Sequence, residues 1–109
     1  MLALIVSCKP QDKKPSGILP ESKMVEVMTD VQIFEAVKES RKIADDSLAS
    51  FIAAGYNRIY KNHGITDEEF RKSFDYYKHN PAAMDELMTK VIDELSKREG
   101  EMKGTETQN

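Results

Sequence analysis

Cysteine is nearly absent from this chain of 109 residues. The one present, Cys8, allows no internal disulfide, no cysteine-based zinc site and no CxxC redox pair. Glycine is sparse as well, and its five scattered copies cannot form the rich single loop that cradles a phosphate. Neither sign of charge dominates. Sixteen Lys and Arg stand against 19 Asp and Glu, a balance too even for a surface that tracks a phosphate backbone, so no nucleic-acid partner is expected. No apolar run approaches the roughly 20 residues that cross a bilayer as helix. A GxSxG elbow, an HExxH pair and an acidic metal loop are all missing, so no catalytic residue, metal ligand or cofactor site can be named. What remains is enough chain for one small core, with 32% charged residues to keep its faces wet.

The longest uncharged apolar stretch opens the chain. Met1-Leu2-Ala3-Leu4-Ile5-Val6-Ser7-Cys8 is followed at once by the polar run Lys9 to Gly17. Ile5-Val6-Ser7-Cys8 resembles the lipobox of bacterial lipoproteins, in which two aliphatic residues and a small one precede a cysteine that receives diacylglycerol. The resemblance implies a partial signal segment over residues 1–7, lipidation of Cys8, and a cell-envelope protein anchored to the membrane, on the periplasmic face of the outer membrane. A signal segment also opens with basic residues. None stand here, and they are expected upstream of Met1. Residues 8–17 then read as the lipidated cysteine and a flexible tether, since two prolines, three lysines and a glycine without an apolar residue cannot pack. Nine extended residues reach roughly 30 Å.

From Ile18 the apolar spacing is helical throughout, and no strand alternation appears. The pattern predicts an all-α compact bundle of four helices, about 20–42, 46–63, 67–79 and 81–99, within a helical domain over 18–99. A disordered tail is expected over 100–109. Met24, Val27, Met28, Val31 and Phe34 make the stripe of the first helix, with Pro20 in its first turn. Asp45 and Asp46 offer an N-cap to the second, whose stripe includes Leu48, Phe51, Ile52, Gly55, Tyr56 and Ile59. Gly55, inside that stripe, predicts a close approach by another backbone. His63-Gly64-Ile65 spells a glycine C-cap with a trailing apolar contact, and Thr66-Asp67-Glu68-Glu69 a capping box. Asn80-Pro81 ends the third helix and starts the fourth, along which Met84, Leu87, Met88, Val91, Ile92 and Leu95 recur.

Three blocks then carry a family resemblance. They are Ile18-Leu19-Pro20-Glu21 through Val31, Tyr60-Lys61 through Ser73, and Tyr76-Tyr77-x-x-Asn80-Pro81. Together they resemble domain of unknown function 4296, a family of small Bacteroidota lipoproteins, over about residues 8 to 96. The resemblance implies a lipobox and a helical domain, and brings no activity and no catalytic residues.

The remaining chemistry is thin. His63 and His79 both fall at helix C-termini, where the dipole favours an imidazolium. Asp75 and His79, four apart, could share a metal, but two ligands do not make a site. Met24 with Met28 and Met84 with Met88 are spaced as core fillers, or as an adaptable groove for apolar peptides. The acidic segments Asp67 to Glu69 and Asp93 to Glu101 suit a helix first turn and a solvated face. An anchor and a core without a catalytic constellation point to a non-enzymatic protein-binding or assembly module of the envelope with a protein partner. The alternatives are a chaperone-like periplasmic folding factor, or a small metal-dependent enzyme using His79 with Asp75.

Overall fold

A computed structural model describes residues 15–107, and the side chains of residues 15–102. Cys8 and most of the 8–17 tether lie outside the described residues, as does the 1–7 signal segment. The described chain forms four α-helices and no strand: α1 (Glu21–Ser40), α2 (Asp45–His63), α3 (Asp67–Lys78) and α4 (Pro81–Thr107). The helix expectation holds, and the boundaries show which local signals govern. Pro20 is the extended flanking residue of α1 and not part of its first turn; its carbonyl accepts the Met24 N–H at 2.9 Å. α1 stops at Ser40, two residues before Lys42, where the Ser40 hydroxyl donates to the Val37 carbonyl and Arg41 turns extended. The α2 cap is Ala44, which has no side-chain hydrogen bond, so Asp45 and Asp46 act inside the first turn as charges facing the dipole.

Between α2 and α3 the punctuation works as written. Gly64 is left-handed at φ 67°, its N–H bonding Lys61 O at 3.2 Å while Ile65 N–H reaches Tyr60 O at 3.0 Å. Thr66 Oγ1 accepts from Glu69 N at 3.0 Å, and Glu69 Oε1 accepts from Thr66 N at 2.9 Å. At the next corner Asn80 divides its labour. Its carbonyl accepts the Met84 N–H of α4, while its amide donates to Tyr76 O of α3 at 2.6 Å.

α4 departs most from expectation. It continues through Gly100 to Thr107, where the sequence pattern predicts a helix end at 99 and a disordered tail from residue 100. One glycine lowers helix propensity by about 1 kcal/mol without imposing a stop, and Glu101, Met102 and Lys103 are good helix formers.

The core is one cluster to which every helix contributes. α1 supplies Met24, Val27, Met28 and Val31; α2 Ile59 and Tyr60; α3 Phe70 and Tyr77; α4 Leu87 and Val91. Burial at this depth stabilises by roughly 1.5–3 kcal/mol per aliphatic side chain. Phe34 meets Phe51 and Gly55 while Asp30 meets His63, so α1 and α2 run antiparallel. Lys90 meets Glu21 and Arg98 meets Asp30, so α4 runs parallel to α1, its most extensive neighbour. α3 makes this possible by carrying the chain back across the N-terminal end of α1, where the buried Ser73 hydroxyl accepts the Leu19 N–H at 2.8 Å.

Candidate functional site

Residues of α1 and α2, most of them outside the buried core, line an open groove of about 620 Å³ between these two helices. α1 contributes Asp30, Ile33, Phe34 and Val37, a stripe at helical spacing, and Arg41 lies just beyond its end. α2 contributes Phe51, Ala54, Gly55, Arg58, Ile59 and Asn62. Gly55 sets the depth of the floor, because the Phe34 ring lies against the place where its Cβ would be. A Cβ there would overlap the ring, with Phe34 Cδ1 at 2.9 Å. The close approach expected at Gly55 is therefore made by a side chain, not by a backbone. Phe34 stacks on Phe51 and meets Tyr56 edge-on, both at 5.5 Å, and the contacts continue through Tyr60 and Phe70 to Phe74. This row of rings stiffens the groove wall and connects it to the core.

Four large hydrophobic residues are exposed among those described, and two of them, Ile33 and Val37, stand in the groove. Its charges are asymmetric. Asp30, at the inner end, is compensated: His63 Nε2 lies 2.6 Å from Oδ2 and Arg98 Nη1 lies 2.9 Å from Oδ1. Burial pushes the Asp30 carboxyl up, but the hydrogen bonds from His63 and Arg98 outweigh it and hold it below the usual carboxylate value. Arg98 is also tied to Glu94, and the ring of His63, 14% exposed, has Glu26 at 3.7 Å. Arg41 and Arg58, by contrast, have no carboxylate partner among the described residues.

The histidines separate. His63 is drawn into the cluster joining α1, α2 and α4, with Lys23 also donating to its backbone carbonyl at 3.4 Å. His79 remains on the surface, 69% exposed, its Nδ1 at 3.6 Å from Asp75 Oδ1 and 2.9 Å from the Asp75 carbonyl oxygen. No set of three His, Cys, Asp or Glu converges as a metal would need, among the described residues. Met24 and Met28 are buried, and Met84 and Met88 pack against the core, so these four fill the interior and do not line the groove. Neither Asp30 nor Arg98 stands out in the sequence. Their partners lie 33 and 68 residues away, and no local pattern signals such a pair.

A second, shallower depression between α2 and α3 is lined by Tyr56, Tyr60, Asp67 and Arg71. Burial and the Asp67 carboxylate push the Tyr60 hydroxyl up to about 12, and burial with Glu35 pushes Tyr56 higher still, so both stay neutral donors. Tyr56 donates to Glu35 at 2.5 Å, while Arg71 and Asp67 pair with each other. No helix described is long and apolar enough to cross a membrane. No curated protein and no solved structure matches this chain. One family does, over residues 15–101, which takes in all three sequence blocks, the whole core and both walls of the groove. The chain belongs to the family described as Domain of unknown function (DUF4296).

Proposed function

We propose that this chain is a lipid-tethered binding module of the cell envelope, anchored through acylated Cys8 and engaging a protein partner through the α1–α2 groove. The groove carries this reading. A small helical domain with a complete core still leaves Ile33 and Val37 more than a third exposed, beside two arginines that have no carboxylate partner among the described residues. Exposed apolar groups gathered in a concave surface with placed charges are a recognition surface in general physical terms. Nothing in the groove pairs a nucleophile with a base, which favours binding over turnover. The Lys9 to Gly17 tether suits the same role, since it would hold the domain clear of the headgroups without fixing its orientation.

Two measurements test the two halves. Labelled palmitate should enter the wild-type chain and not a Cys8→Ala variant; label in the variant, or none in the wild type, removes the anchor. A photo-crosslinking residue at position 37 in cells should yield a discrete adduct that is lost when Ile33 is changed to Asp. An adduct yield equal to that from a control position on the outer face of α4 removes the groove.

A further inference from the structure

The charges of the groove say what kind of partner fits it. α1 and α2 run antiparallel and Gly55 faces Phe34, so Arg58, one turn further along α2, stands level with about Val31 of α1. Arg41 stands at the other end, about 15 Å away by helix rise. Between them lies the apolar floor of Ile33, Phe34, Val37 and Phe51. The only carboxylate among the lining residues, Asp30, is already held by His63 and Arg98. The unmatched charge along the groove is therefore positive, and it occurs at two separated points.

From this we infer that the groove receives an amphipathic α-helix of a partner protein, with an apolar stripe laid on Phe34 and carboxylates about three turns apart that meet Arg41 and Arg58. The inference rests on the binding-module reading and names the partner's chemistry. Helix-in-groove recognition uses anchors at i, i+3 or i+4 and i+7, and three turns of helix span the length between the arginines. A single-headed lipid would satisfy one guanidinium and leave the other beside its tail. The apolar residues 1–8 of the chain itself carry no carboxylate, and the run after them sets the single acid Asp12 among Lys9, Lys13 and Lys14, so its net sign repeats the groove's own.

The probe is a display library of 18-residue helical peptides with one randomised face, selected on the immobilised full chain. The expected consensus is an apolar stripe flanked by Asp or Glu about ten residues apart. Affinity of the selected peptides should fall at least tenfold on an Arg41→Glu/Arg58→Glu variant and return when their acids are replaced by Lys. Both arginines are exposed and outside the core, so the variant keeps the fold. A consensus without acids, or enrichment that survives Ile33→Asp/Val37→Asp, overturns the inference. So does self-association of the wild type abolished by Ile33→Asp/Val37→Asp, which would make a second copy the occupant. Loss of binding to phosphatidylglycerol vesicles in the arginine variant, with no peptide enriched, would assign the groove to lipid. If the cellular crosslink at position 37 forms while the peptides fail, the module stands and the acidic helix alone is discarded.

Discussion

His63 Nε2 lies 2.6 Å from Asp30 Oδ2, a contact between the last residue of α2 and the middle of α1 that Arg98 of α4 completes from the other carboxylate oxygen. Three helices are joined at one half-buried carboxylate. Asp30→Ala would leave a guanidinium and an imidazole facing each other, and should lower stability by about 1–2 kcal/mol. Urea denaturation checks this, and Asp30→Ala should cost clearly more than Asp75→Ala, whose 3.6 Å partner His79 is exposed.

The acid dependence follows from the same carboxyl. Its folded pKa is depressed below 3.8, so its contribution is full above that value and is lost as pH falls through the lower folded value. Glu35, held below 4.5 by hydrogen bonds from Lys38 and Tyr56, acts with the same sign. Tm should therefore stay flat with respect to these two groups from pH 7 to about 5 and drop below about 4.5. An Asp30→Asn/Glu35→Gln chain should show a shallower acid slope. An unchanged slope would show that other carboxylates govern it.

Three of the glycines, Gly55, Gly64 and Gly100, should respond differently to alanine. Gly55→Ala drives a methyl into the Phe34 ring and should destabilise by about 1–2 kcal/mol after its gain in helix propensity. Phe34→Leu in the same chain should recover part of that loss. Gly64→Ala meets open space but a φ of 67°, which costs about 1 kcal/mol. Gly100→Ala, in open space within α4, should stabilise by up to about 1 kcal/mol. Chemical denaturation of the three variants reads the order directly.

Thr66→Ala removes one half of the capping box and should destabilise by about 1 kcal/mol, while Thr66→Ser should be nearly neutral. The urea m-value should not change, because the helix loses a cap and not its packing. A loss as large in the Ser variant would locate the effect in the threonine methyl group instead.

If no divalent metal binds the folded chain, EDTA and excess zinc should each leave Tm unmoved, because a ligand that binds only the folded state raises stability by mass action. A shift lost on His79→Ala would restore the metal-dependent reading of Asp75 and His79.

Much of the fold is written locally. The capping box at Thr66 and Glu69, the glycine cap at Gly64 and the break at Asn80-Pro81 act within a few residues, so their spacing alone determined where α2 ends, where α3 lies and where α4 begins. The apolar periods likewise marked Met24, Val27, Leu87 and Val91 for burial. Periodicity does not say which helices meet or in which direction. That α4 lies parallel to α1, that Phe34 fills the place of a Gly55 side chain, and that Asp30 gathers His63 and Arg98 were decided by tertiary packing across separations of 21 to 69 residues. The groove belongs to this second class. Ile33 and Val37 carry the same helical signal as core residues, and they differ from Met24 and Val27 only because no later helix is laid over them.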